Sequence, residues 1–255
     1  MQYYVASELT REDVPIIKAP EEIKVLDPCA GSGHTLVYAF DILMKIYEES
    51  GYYQKDIPAL ILQYNLTGLE LDNRAAALAN FALMMKAREY DRNILERGIR
   101  PKVYSLDDDR MLHPWDVDGV RLTKDEAGKA DYLAAYFKDA DILGSLLDPK
   151  FSAAGAKAEM FHDEAKKEEL EQRSDSEISG SITVSEKLEY SESVYKALAA
   201  KYNFVVTNPP YLPGNSNPVL KNFLEKHYNN SKSDLFAAFI ERCIAFTGEK
   251  CFTGM

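Results

Sequence analysis

The sequence predicts an α/β fold in which helices cover both faces of a parallel sheet. Short apolar segments typical of strands alternate along the chain with longer segments that have helical apolar periodicity. Such alternation is typical of parallel sheets. At 255 residues, the chain can hold one sizeable α/β domain, or a domain with a long insertion. Any ligand is expected in a crevice beyond the carboxyl ends of the strands.

The predicted elements follow from apolar runs, capping residues and glycines. Strands are predicted at 25–29, 66–71 and 204–207, and helices at 34–49, from Asp72 onward, at 186–201 and from residue 233 or 234 to about 246. The third strand has two candidates. Residues 102–107 arrive after a loop of ordinary length, and residues 142–147 form a competing apolar run.

Polar motifs follow three of these strands. Residues 27–33, Asp-Pro-Cys-Ala-Gly-Ser-Gly, join a strand to a helix, and the glycines allow backbone N–H groups to approach a ligand. Residues 68–72 read Gly-Leu-Glu-Leu-Asp, and residues 208–211 read Asn-Pro-Pro-Tyr. Strand ends that share one edge would gather Asp27, Glu70, a third-strand carboxylate and Asn208 in one crevice.

These three motifs together resemble the signature of S-adenosylmethionine-dependent N6-adenine DNA methyltransferases. Residues 34–41, His-Thr-Leu-Val-Tyr-Ala-Phe-Asp, and 233–242, Ser-Asp-Leu-Phe-Ala-Ala-Phe-Ile-Glu-Arg, are similar to the PglX-type methyltransferases of BREX phage-defence systems. The resemblance covers most of the chain outside roughly 110–200. It implies a class I, Rossmann-like methyltransferase sheet.

The resemblance also implies roles for the residues around the cofactor, S-adenosylmethionine. Glu70 is expected to accept hydrogen bonds from both ribose hydroxyls, and Leu71 to cover the adenine. The adenine amino group is expected to be read by Asp107 or Asp141, together with Ser145. The residues expected to face the methionine moiety are Asp27, Pro28, Ala30, Gly31 and Gly33.

The Asn-Pro-Pro-Tyr motif is the predicted catalytic loop. An exocyclic amine is a poor nucleophile because its lone pair is delocalised into the ring. The side-chain oxygen of Asn208 and the carbonyl of Pro209 can each accept one N–H, which stabilises charge developing on the nitrogen. Pro209 and Pro210 would stiffen the loop, and Tyr211 would stack on a flipped-out base.

Composition limits the remaining possibilities. The net charge of −11 argues against a DNA-binding surface spread over the whole chain, so contacts to double-stranded DNA are expected mainly from regions outside it. The three cysteines lack paired spacing and the four histidines lack metal-ligand spacing, which predicts no metal and favours a reducing cytoplasm. The apolar runs are too short to predict a membrane span.

The predicted domain is an incomplete methyltransferase catalytic domain over 1–255, with a lead-in at 1–22 and a helical insertion at 110–200. Later strands and a target-recognition domain are expected to be absent. Two alternative functions stay open from the sequence. One is methylation of another planar nitrogen, in protein glutamine or RNA guanine, and the other is a cofactor-binding scaffold without turnover. Other phage-defence subunits are possible partners.

Overall fold

The computed structural model describes residues 14–117, 120, 122–151 and 182–255. The described chain forms a five-stranded sheet in the order β3-β2-β1-β4-β5, and every pair of neighbouring strands is parallel. The α/β class and the parallel sheet predicted from the sequence are confirmed. The strands are β1 (Val25–Asp27), β2 (Leu66–Glu70), β3 (Lys102–Ser105), β4 (Tyr202–Val206) and β5 (Thr247–Gly254).

Helices connect the strands and lie on both faces of the sheet. Helix α1 follows β1, α3 follows β2, and α8 connects β4 to β5. None of the helices within the described ranges is both long and apolar enough to cross a membrane. The helices are α1 (His34–Glu49), α2 (Ile57–Leu60), α3 (Asn73–Tyr90), α4 (Lys124–Tyr136), α5 (Ala140–Leu143), α6 (Val184–Ala199), α7 (Pro218–His227) and α8 (Leu235–Phe246).

Several helices begin at the residues that the sequence predicts. Asp72 accepts a hydrogen bond from the Arg74 N–H and caps α3, and Asp234 accepts one from the Phe236 N–H and caps α8. Helix α1 occupies the predicted range and starts directly after Gly33, whose φ is 86°. The local signals therefore fix where the helices begin at the edge of the sheet that carries the polar motifs.

The strand register brings the carboxyl ends of the central strands together. Asp27 at the end of β1 pairs with Gly68 of β2, and Glu70 pairs with Ser105 at the end of β3. On the other side of β1, Leu26 pairs with Val205, one residue before the end of β4. The edge where the strands end is therefore shared by the three sequence motifs.

The structure settles the third strand. Residues 102–105 form β3, while the competing run at 142–147 is helical, with the end of α5 followed by a 3-10 turn over Gly144–Leu146. Gly144, with a φ of 53°, breaks the run. The described part of the predicted 110–200 insertion contains α4, α5 and α6, and residues 118, 119, 121 and 152–181 of it lie outside the described residues.

Strand β5 was not predicted from the sequence. It pairs with β4 through Phe204 and Phe252, whose rings stack with centroids 5.8 Å apart. The pairing contains an irregularity between Tyr202 and Phe204, and Lys250 has a φ of 57°. The sheet thus continues one strand beyond the predicted set.

Candidate active site at the carboxyl ends of the strands

The turn after β1 is held by backbone donors that point toward β2. The Ala30 N–H donates to the Leu69 carbonyl at 2.9 Å, and the Gly31 N–H donates to Oε2 of Glu70 at 2.6 Å. Gly31 has a φ of 52°, and a Cβ built there meets nothing within 4 Å. The first two motifs are therefore joined directly, and the turn borders open space.

Gly33 sits where α1 begins against α3. A Cβ at this position would lie 2.9 Å from the Cβ of Ala79, and the φ of 86° also favours glycine. Gly68 on β2 is crowded in a similar way, because a Cβ there would lie 2.9 Å from Cδ1 of Leu36. These glycines let α1 and α3 approach the strand ends closely.

The Glu70 carboxylate is half-buried and accepts three N–H groups. Besides Gly31, its Oε1 accepts from the N–H groups of Leu71 at 2.8 Å and Asp72 at 3.0 Å. A carboxylate offers about four acceptor positions, so three of them are in use here. Leu71, the predicted adenine cover, is 40% exposed beside this carboxylate.

Asp27 connects the β1 turn to the end of β4. Its side chain is buried, and Oδ1 accepts from the Thr207 hydroxyl at 2.7 Å and from the Cys29 N–H at 3.1 Å. Burial raises the pKa of Asp27 above its ordinary value, and the hydrogen bond from Thr207 opposes that shift. Because Thr207 immediately precedes Asn208, this contact ties the third motif to the first.

The Asn-Pro-Pro-Tyr loop leaves β4 with its polar groups outward. Asn208 and Pro210 are exposed, and Pro209 between them is buried. The Tyr211 hydroxyl donates to Oδ1 of Asn208 at 3.1 Å, and 75% of the Tyr211 side chain is exposed. The loop thus presents an amide and an aromatic ring to solvent at the shared edge.

The three residues predicted to bind the adenine of the cofactor lie in different environments. Asp107 is exposed two residues after β3 and borders a cleft of about 500 Å³ that also contains Trp115 and Lys187. Asp141 is exposed on α5. Ser145 is buried instead, and its hydroxyl donates to the Pro28 carbonyl at 2.6 Å, so it supports the β1 turn. Reading of adenine by any of these residues stays a prediction.

Arg242 is the residue that sequence reasoning missed. It is 2% exposed, its guanidinium lies 3.7 Å from the centroid of Phe246, and it pairs with Asp148 at 2.8 Å. It also donates to the Ser145 carbonyl at 2.9 Å. An arginine at a position of α8 that faces the apolar core was the available signal, because such a charge requires buried partners.

The polar groups at this edge leave acceptor capacity for a ligand. Among residues 14–117, 120, 122–151 and 182–255, no three His, Cys, Asp or Glu side chains are grouped in a way that could hold a metal ion. The Gly31 turn borders open space, and the Glu70 carboxylate has acceptor capacity left for a hydroxyl. A ligand with hydroxyl groups can therefore be accommodated at this edge.

Comparisons with known proteins agree with this geometry. A family model described as Eco57I restriction-modification methylase matches residues 64–255, and one described as N-6 DNA Methylase matches residues 1–100. The adenine-specific methyltransferase BrxX of Escherichia coli O9:H4 (strain HS) is 35% identical over 99% of this chain and 23% of its own length. The adenine-specific methyltransferase PglX of Lacticaseibacillus casei (strain Zhang) is 34% identical over 91% of this chain and 19% of its own length.

The predicted resemblance to PglX-type methyltransferases is confirmed by these relatives, and the chain spans 19–23% of their length. With the Eco57I model matching residues 64–255, the chain belongs to the Eco57I restriction-modification methylase family.

Proposed function

We propose that this chain carries the cofactor-binding and base-accepting residues of an S-adenosylmethionine-dependent enzyme that methylates the N6 amine of adenine in DNA. The observation that carries the proposal is the joining of the motifs. Gly31 bonds Glu70 at 2.6 Å, and Asp27 bonds Thr207, next to Asn208, at 2.7 Å. A cofactor held by the first pair would lie beside a base held by the Asn208 loop.

The cofactor would be held by residues of the β1 turn and the end of β2. Glu70 would accept the ribose hydroxyls, and binding both of them requires it to release one of its three N–H partners. The N–H groups around Gly31 and the start of α1 would face the methionine end. When bound, S-adenosylmethionine supplies an electrophilic methyl group.

The Asn208 loop would prepare the amine. Oδ1 of Asn208 accepts the Tyr211 hydroxyl and keeps a second lone pair for an amine N–H. The Pro209 carbonyl would accept the other N–H, so the nitrogen lone pair is freed for attack and the developing charge is stabilised. Tyr211 would stack on the base, and this contact, worth about 1–3 kcal/mol, offsets part of the cost of unstacking it.

The names of the relatives support adenine as the methylated base, and the N-6 DNA Methylase family model supports DNA as its carrier. BrxX and PglX are both named adenine-specific methyltransferases. The wider system is a phage-defence or restriction system, with double-stranded DNA and other defence subunits as partners. Transfer of labelled methyl groups to DNA, compared with ribosomal RNA and release factors, tests the substrate. Labelling of RNA or protein in preference to DNA would refute the proposal.

Two substitutions test the assignment of roles. Asn208→Ala should reduce methyl transfer about 10²- to 10³-fold while leaving the dissociation constant of S-adenosylmethionine nearly unchanged. Glu70→Ala should weaken cofactor binding by about 1.5–3 kcal/mol, measured by calorimetry, because its hydrogen bonds are charge-assisted. Asn222→Ala is the matched control, since Asn222 is an exposed asparagine on α7.

The two variants must lose different properties: Asn208→Ala should lose methyl transfer, and Glu70→Ala should lose cofactor affinity. Equal loss of cofactor binding and transfer in Asn208→Ala would contradict its catalytic role, and an unchanged cofactor affinity in Glu70→Ala would remove Glu70 from the site. Cofactor binding without transfer by the wild-type protein, to any of the three substrates, would favour a scaffold.

A further inference from the structure

The segment directly after the Asn-Pro-Pro-Tyr loop, residues 212–214, is bonded through the backbone to the start of α8. The Leu235 N–H donates to the Leu212 carbonyl at 3.1 Å, and the Gly214 N–H donates to the Ser233 carbonyl at 3.1 Å. The loop is therefore attached, through residues 212–214, to the start of α8, which Asp234 caps.

Gly214 allows this close approach. A Cβ at this position would lie 2.1 Å from the carbonyl oxygen of Lys232 and 3.0 Å from Cδ1 of Leu224. The carbonyl belongs to the backbone and cannot rotate away as a flexible side chain does. Any side chain at residue 214 therefore requires the loop to move away from Lys232, which lies just before α8.

Phe236 extends the attachment to the aromatic ring of the loop. Its ring stacks on Tyr211 with centroids 5.5 Å apart and an interplanar angle of 12°. The Tyr211 hydroxyl in turn donates to Oδ1 of Asn208 at 3.1 Å. Since Tyr211 is 75% exposed, one stack and one hydrogen bond hold it while most of the side chain stays accessible.

We propose that Phe236 is a positioning residue that holds the Tyr211 ring, and through its hydroxyl the Asn208 amide, in the orientation that receives the target base. The inference rests on the proposed function. Phe236 covers one face of the Tyr211 ring. A base that stacks on the opposite face therefore meets a ring that is already held in place. This lowers the entropy lost on binding, which is the gain that preorganisation gives.

The test measures base capture separately from cofactor binding. The probe is a set of single-stranded oligonucleotides with 2-aminopurine in varied sequence contexts, because a single strand avoids most of the cost of flipping. In the presence of S-adenosylmethionine, Phe236→Ala should raise the dissociation constant from 2-aminopurine fluorescence about 2- to 10-fold, the range of an aromatic pair. The dissociation constant of S-adenosylmethionine should not change, and Phe236→Tyr should restore wild-type capture.

A second variant and two controls complete the design. Gly214→Ala should weaken capture in the same direction, because its Cβ detaches the loop from Lys232. Gly128→Ala is the matched glycine control, since a Cβ there meets nothing within 4 Å. Phe81→Ala removes a 60% exposed ring from α3, on the part of the chain that precedes β3. Both controls should bind the probe as the wild type does.

The possible results distinguish the inference from the function on which it rests. Wild-type capture by Phe236→Ala overturns the inference, while the loss of transfer in Asn208→Ala would still support the proposed function. A wild-type protein that neither captures any oligonucleotide nor transfers methyl groups overturns both. Weakened capture that Phe236→Tyr does not restore also overturns the inference, because the stacked ring is then not the cause.

Discussion

The two faces of the sheet obtain their cores from different parts of the chain. On one face, the described core residues all come from 23–103 and include those of α1 and α3. On the other face, they come from 106–246, and only Leu26 and Leu69 of the central strands join them from the first part. The predicted cofactor residues before β3 belong to the first region, and the Asn208 loop belongs to the second.

The contacts that complete the site differ in the same way. The Gly31–Glu70 bond joins residues 39 positions apart. The Thr207–Asp27 bond spans 180 positions, and the Ser145–Pro28 bond spans 117. The Gly31–Glu70 contact can therefore form from neighbouring βα units, while the contacts from Ser145 and Thr207 need residues that lie within or beyond the insertion.

The largest loss of stability is expected from a substitution in the second region, residues 106–246. Arg242→Met leaves Asp148 buried without its cation and removes the donors to several backbone carbonyls, so we expect the free energy of unfolding to fall by about 3–5 kcal/mol. Urea denaturation measures this effect. Because Arg242 also supports Ser145, the β1 turn should lose protection from hydrogen exchange at the same time.

The matched control is an exposed arginine–aspartate pair of the first region. The side chains of Arg74 and Asp72 are 92% and 50% exposed, against 2% and 7% for Arg242 and Asp148. Arg74→Met should cost less than about 1 kcal/mol. Similar losses in the two variants would show that burial of the second pair has no special importance.

A smaller effect is expected at the helix contact of the first region. Gly33→Ala should lower the free energy of unfolding by about 2–4 kcal/mol, because it combines a left-handed backbone with a Cβ 2.9 Å from Ala79. Gly51 has the same φ of 86° but nothing within 4 Å of a Cβ, so Gly51→Ala should cost only about 1–2 kcal/mol. Urea denaturation of both variants isolates the clash, and equal costs would contradict it.

The smallest effect is expected at Asp27, where the two regions meet. Burial raises the pKa of Asp27 in the folded state above 3.8, so the folded state holds the proton more tightly than the unfolded state does. The contribution of Asp27 to the free energy of unfolding therefore falls as the pH rises through the folded-state pKa. Asp27→Asn lacks this titration and can keep the Oδ1 bonds to Thr207 and Cys29.

Urea denaturation of both proteins between about pH 4 and about pH 7 measures this difference. Asp27→Asn should be more stable than the wild type near neutrality, and the advantage should shrink as the pH falls through the folded-state pKa of Asp27. An advantage that does not vary with pH would show that the Asp27 charge is not its cause.

The first region was largely predictable because its signals are local. The range of α1, the Asp72 cap and the strand at 66–71 follow from periodicity, capping residues and glycines within a few positions. The sequence leaves the third strand open between 102–107 and 142–147, and only the structure decides for the former. That Gly31 and Glu70 lie at the same edge also follows from a general rule, since parallel strands end at one edge, while the bond between them is seen only in the structure.

The second region was less predictable because distant partners decide its structure. Strand β5 contains two glycines and Lys250 with a positive φ, which favour a turn, and it forms a strand because β4 lies beside it. The buried role of Ser145 depends on Arg242, 97 positions later. Helix α7 was a missed local signal, since Asn217 caps it and Leu220 and Leu224 share its buried face.

The central position of β1 has a consequence for synthesis on the ribosome. One edge of β1 can pair with β2 early, but the other edge must wait for β4, and Thr207 emerges 180 residues after Asp27. At about 5–20 residues per second, that edge stays open for about 10–35 s. During that interval the nascent protein exposes an unpaired apolar strand to chaperones and to neighbouring chains.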